Sequence, residues 1–193
     1  RDLHSFPTRR SSDLGTIQFQ QDNKKDDIRS LIGYLPQFPA FYPWMTGREF
    51  LIYSGKLSKI PASEVEKRAD KLLERVGISE AKNRRISTYS GGMKQRLGIA
   101  QAIIHRPKLL MLDEPVSALD PLGRREVLTL MEELKNDLTS LFSTHILSDA
   151  DEVSDELLLL HQGEIVEAGP MDELRTKYQT TTIELSFENN LEA

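Results

Sequence analysis

The sequence predicts an α/β protein: a largely parallel sheet with helices on both faces. Three observations carry that expectation. Apolar runs of strand length alternate with longer amphipathic segments along the chain. Residues 109–112 (LLML) are continuously aliphatic, as in a strand buried on both sides. Helix punctuation is placed to match, with Asp120-Pro121 opening one segment and Gly77 and Pro107 closing two others.

Taken in order, residues 15–19 alternate, with Ile17 and Phe19 apolar, and read as a short strand. Polar residues 20–28 form a surface connection. Residues 31–35 are a second strand, ended by Pro36. Residues 38–45 are unusually apolar and aromatic for a loop. Residues 63–76 form a helix with Ser63 as its cap, Glu66 completing a capping box and Gly77 at its end. Val65, Ala69, Leu72, Leu73 and Val76 share its apolar face. A second helix runs over 91–105, followed by the strand at 109–112. The helix opened by Asp120-Pro121 turns Val127, Leu128, Met131 and Leu134 inward. Residues 140–143 read as a strand, 148–153 as a short helix and 157–161 as another strand.

Composition narrows the functional classes. At 38% hydrophobic and 28% charged, the 193 residues fit a soluble globular domain with a real core. Without cysteine there is neither a disulfide framework nor a thiolate metal site, which suits a cytoplasmic location. The net charge of −5 and the lack of a basic stripe weigh against a nucleic-acid partner. No apolar run approaches the roughly 18 residues of a membrane helix, so direct membrane insertion is not expected.

Residues 1–14 (RDLHSFPTRRSSDL) stand apart. They lack apolar periodicity and resemble the in-frame translation of a common sequencing adapter, whose bases encode all of them in order. A disordered natural tail is the alternative. They carry three arginines against two aspartates, a net +1, so the remaining residues carry −6. Residues 1–14 are therefore set aside from the fold expectation.

The chemistry sits at strand ends and helix starts, where such sheets place it. The strand at 109–112 delivers two adjacent carboxylates, Asp113 and Glu114. The first suits a magnesium ion; the second can orient and polarise a water for attack on a phosphoryl group. A strand that merely ends in a charged turn is the plainer reading. Upstream, Ser90-Gly91-Gly92 precedes a helix, where bare backbone N–H groups and the helix N-terminus favour a phosphate.

In order and spacing these motifs resemble the ATP-binding-cassette (ABC) ATPases. The YSGGM turn at 89–93 stands where the family has its LSGGQ signature. Asp113 and Glu114 match the Walker B aspartate and catalytic glutamate, and Ser117-Ala118-Leu119-Asp120 the D-loop. Ser143-Thr144-His145 matches the switch histidine, and Tyr34-Leu35-Pro36-Gln37 the Q-loop. The resemblance implies a P-loop NTPase-like parallel sheet core over 15–170 with an α-helical subdomain at about 45–100, and ATP with Mg2+ as ligands. It assigns catalysis to Glu114, His145 and Gln37, and metal binding to Asp113 and Gln37. Ser90, Gly91, Gly92 and Asp120 contact the nucleotide of a second ATP-binding subunit. Asp120 is equally read as a helix cap.

One family motif is absent. No G-x-x-x-x-G-K-[ST] occurs; the sole Gly-Lys pair, Gly55-Lys56, has Phe50 and Leu57 where Gly and Ser or Thr belong. The family carries this Walker A loop upstream of the Q-loop, so the expectation is a chain whose N-terminal strands and Walker A loop are missing, and which is inactive as it stands.

The phrases at 115–135 and 143–169 resemble the ATPase subunits of bacterial exporters, including those linked to bacitracin resistance. That implies a transmembrane permease partner and a peripheral site on the inner face of the membrane. In the family, a short cytoplasmic helix of the permease docks just after the Q-loop, which would account for Phe38, Phe41, Tyr42, Trp44 and Met45; burial beneath the helical subdomain is the alternative. A soluble ABC ATPase acting on DNA or ribosomes, and a non-catalytic degenerate subunit, are the competing functions. Residues 171–178 read as a short helix and 180–187 as a strand, the expected start of a C-terminal accessory region over 171–193.

Overall fold

A computed structural model describes residues 28–178; the strands expected at 15–19 and 180–187, and the adapter-like stretch, lie outside them. The chain forms β1 (Ile32–Leu35), α1 (Gly47–Leu57), α2 (Ala62–Arg75), α3 (Gly91–Ile103), β2 (Leu109–Asp113), α4 (Pro121–Leu134), β3 (Thr139–Ser143), α5 (Leu147–Val153), β4 (Glu156–His161), β5 (Glu164–Pro170) and α6 (Met171–Tyr178). Strands β1, β2 and β3 make one parallel sheet in that order. Its register sets Leu35 beside Leu112 and Leu112 beside Phe142.

The parallel α/β core is as expected, with two corrections. First, the described residues cover one sheet face only. Gly33, Leu35, Leu110 and Leu112 are buried beneath helices, whereas Tyr34 and Leu141 on the other face are exposed. Second, β4 does not join the parallel sheet. It pairs antiparallel with β5, a strand the sequence reading passed over. Gln162 and Gly163 between them both take positive φ, 52° and 85°, the backbone a tight hairpin turn demands.

Helix α3 joins the helical region to the sheet. It buries Leu97, Ile99, Ala100, Ala102 and Ile103 on several sides, while Gln101 stays exposed. Small residues permit its close approach to β1. A Cβ on Gly33 would fall 2.3 Å from the Ala102 carbonyl oxygen, and one on Gly98 2.5 Å from Leu35. One continuous core then runs from Phe50, Leu51 and Leu73 in the helical region to Leu110 and Val127 beside the sheet. Among the described residues no helix is long and apolar enough to cross a membrane.

The capping expectation also needs correction. Helix α2 starts at Ala62 behind Pro61, and no side chain caps it. The fixed φ of proline suits the helix entrance, and the Pro61 carbonyl accepts from Glu64 N–H and Val65 N–H. Ser63 is thereby drawn inside the first turn and Glu66 is free to pair with Arg48. Of the face predicted for this helix, Val65, Ala69, Leu73 and Val76 are buried and Leu72 partly so. The true capping box is at α1, where Thr46 and Glu49 exchange side-chain and backbone hydrogen bonds.

The apolar segment 38–45 divides between its two readings. Phe41 and Met45 pack against the core, with Phe41 edge-on to Phe50. Phe38 and Trp44 stay 76% and 67% exposed, and Tyr42 lies between Trp44 and Tyr53.

Candidate active site

The carboxyl ends of the three parallel strands deliver the candidate residues to one edge. β2 ends on Asp113, paired across the ladder with Ser143 at the end of β3. Alternation along the strands puts Asp113 and Ser143 on the open face, away from the buried Leu112. Glu114 follows in the left-handed region, φ 49°, which turns its side chain out of the strand direction. Gln37 lies two residues past the end of β1, half-buried, one strand over from Asp113.

Hydrogen bonds tie this cluster together. His145 Nδ1 lies 2.7 Å from Glu114 Oε2, a hydrogen bond in which the carboxylate oxygen accepts from the ring N–H. Ser143 Oγ–H donates to Asp113 Oδ1 at 3.0 Å, and Glu114 N–H donates to the same Oγ at 3.0 Å. Both carboxylates of the Asp-Glu pair are thus held from β3 and the turn after it. The sequence pointed to His145, Asp113 and Glu114; it named Ser143 only beside the switch histidine and gave it no role, because a serine within a strand carries no distinctive signal.

Ser90, Gly91, Gly92 and Asp120 form a second cluster, at the N-termini of α3 and α4. Ser90 Oγ caps α3 by accepting from Met93 N–H, and Asp120 Oδ1 caps α4 by accepting from Gly123 N–H. The two helix N-termini meet closely: a Cβ on Gly92 would lie 3.3 Å from the Gly123 Cα, and one on Gly91 would touch Leu119. Ser90 and Gly91 remain exposed. Tyr89, immediately before them, is buried, and its hydroxyl donates to the Ala81 carbonyl at 2.7 Å. Burial pushes its phenol above the ordinary value. That ring fits because position 47 is glycine; a Cβ there would meet the Tyr89 oxygen at 2.3 Å.

The donor set suits Mg2+. Asp113 and the Gln37 side-chain oxygen are hard ligands, and among the described residues no group of three His, Cys, Asp or Glu forms a closed metal cage. Mg2+ is commonly held by one or two carboxylates together with substrate phosphates and waters. Ser90 and Gly91 supply exposed donors at a helix N-terminus, which suit a phosphate.

The ABC transporter family model matches residues 3–117, more than half of the chain. The chain belongs to the ABC transporter family. The match begins inside residues 1–14 and so does not by itself mark that stretch as foreign. The ABC transporter ATP-binding protein YxlF of Bacillus subtilis (strain 168) is 52% identical over 178 residues, 92% of this chain and 60% of the relative. The bacitracin transport ATP-binding protein BcrA of Enterococcus faecalis is 37% identical over 183 residues, 92% of this chain and 57% of the relative. The chain therefore spans little more than half the length of these curated relatives. Among solved structures, cbiO1 from Clostridium perfringens, part of the ABC transporter complex cbiONQ, superposes with a TM-score of 0.70 at 29% identity. It covers 77% of this chain and 61% of its own.

Proposed function

We propose that the full-length protein is the ATP-binding and ATP-hydrolysing subunit of a membrane ABC exporter, working with Mg2+ at an interface between two such subunits. The observation that carries this reading is the hydrogen-bonded set Asp113, Glu114, Ser143 and His145 at the carboxyl edge of a parallel sheet. Asp113, with Gln37, would hold the metal. Bound Mg2+ neutralises charge on the nucleotide phosphates. Glu114 accepts from the attacking water and orients it, and His145 keeps the Glu114 carboxylate in place, while its other ring nitrogen would be available to a γ-phosphate.

Ser90, Gly91, Gly92 and Asp120 serve the nucleotide of the second subunit. The exposure of Ser90, Gly91 and Asp120 at two adjoining helix N-termini supports that division. Similarity to a bacitracin transport protein supports export. The exposed Phe38, Tyr42 and Trp44 support a permease contact beside the Q-loop, which would place the protein peripherally on the cytoplasmic side of the membrane.

We further propose that residues 1–14 derive from an adapter and that native sequence in their place carries G-x-x-x-x-G-K-[ST]. Amplifying the source gene across codon 15 tests this directly: retention of RDLHSFPTRRSSDL in the genome contradicts it. The function itself is tested by purifying the full-length product with its neighbouring permease. Mg2+-dependent ATP hydrolysis in that complex is the expected result; a complex that binds no ATP contradicts the proposal.

A further inference from the structure

We infer that Ser143 is a positioning residue for hydrolysis, fixing the metal-side carboxylate and the backbone of the catalytic glutamate through one hydroxyl. The inference rests on the ATPase reading of the same site. Asp113 and Ser143 face each other across the β2–β3 ladder, so the serine side chain stands beside the carboxylate by register. Its Oγ–H donates to Asp113 Oδ1 and its lone pair accepts from Glu114 N–H, both at 3.0 Å. One donor and one acceptor are thereby used, within the capacity of a hydroxyl.

The second bond matters because Glu114 leaves the strand with φ 49°. The parallel pairing of β2 with β3 ends at Asp113 and Ser143, so the Glu114 N–H has no further ladder partner in register. The Ser143 hydroxyl takes that N–H and anchors the left-handed residue at its backbone. His145, two residues further along the same chain segment, anchors it at Oε2. Side chain and main chain of Glu114 are therefore both referenced to the end of β3. An alanine at 143 would remove the hydroxyl's hold on the Asp113 carboxylate and on the Glu114 N–H together while leaving every buried contact intact, since Ser143 is exposed.

The test compares Ser143→Ala, Ser143→Thr and Glu114→Gln in the full-length protein, reading turnover, KM for ATP, direct Mn2+ binding by electron paramagnetic resonance and melting temperature. Ser143→Ala is expected to lower kcat and weaken Mn2+ binding by about tenfold each, with KM for ATP within about twofold of wild type. Ser143→Thr, which keeps the hydroxyl on a strand that favours β-branched residues, is expected to restore both. Wild-type kcat and Mn2+ affinity in Ser143→Ala overturn the inference. So does a loss that Ser143→Thr fails to restore, or one accompanied by a matching fall in melting temperature. If Glu114→Gln itself turns over at the wild-type rate, the assignment of Glu114 as the water-activating residue fails first, and this inference with it.

Discussion

Glu114 and Tyr89 show how single residues shape the strand end and the helix start that carry the candidate residues. Glu114 sits at φ 49° because the chain must leave β2 sharply to bring its carboxylate to His145. Removing the ring tests that contact: His145→Ala is expected to lower turnover of the full-length protein by roughly a hundredfold while ATP binding persists. Unchanged turnover in a steady-state assay would show that His145 is idle. Tyr89 replaces the leucine of the family signature and uses its hydroxyl on the Ala81 carbonyl. Tyr89→Phe removes one of the two hydrogen bonds to that carbonyl, which keeps the Arg84 N–H, and is expected to cost about 1 kcal/mol in denaturant unfolding. Asp113, Glu114 and Asp120 were legible in the sequence because each sits at a strand end or helix start. Ser143 was not legible, since its role depends on strand register, which no local pattern encodes.

At the scale of elements, helix pairs are clasped by charges. Arg124 on α4 grips Asp149 on α5 through two nitrogens, and Asp149 is 1% exposed. Truncating the arginine strands a buried carboxylate, so Arg124→Met is expected to destabilise the chain by about 3 kcal/mol. A melting temperature unchanged in that variant would mean that water reaches Asp149. Between α1 and α2, Asp70 accepts from Arg48 and Lys82, and its carboxyl is held below the ordinary value of 3.8, chiefly by the Arg48 hydrogen bond. A depressed folded value contributes stability above the ordinary value and loses it as pH falls through the depressed one. Asp70→Asn is therefore expected to melt lower than wild type at neutral pH, with the difference closing in acid below 3.8. A gap that persists at low pH would assign the effect to packing. Sequence patterns located α2, α3 and α4 because each carries a clear apolar stripe or an end signal. Helix α1 escaped notice because its cap, Thr46, follows an aromatic run that reads as loop. Strand β5 escaped because the turn before it rests on Gln162 in a left-handed conformation, which glutamine does not announce.

For the molecule as a whole, the parallel core and its helical region share one continuous apolar interior, so the fold class was readable from strand–helix alternation alone. The placement of β4 was not, because an isolated aliphatic run does not state its partner or direction. The 193-residue chain lacks the lysine and loop amides that grip β- and γ-phosphates, so calorimetry on it is expected to show no micromolar ATP binding. Tight binding would place the nucleotide site elsewhere. The central claim is that Glu114 activates water at an interface completed by a second subunit. It is tested most directly by the full-length Glu114→Gln variant in sedimentation with and without Mg2+-ATP. The predicted result is no turnover and a stable ATP-dependent dimer, because the amide keeps the shape of the side chain and removes the charge that polarises water. Turnover near the wild-type rate, or a monomer under saturating ATP, would contradict it.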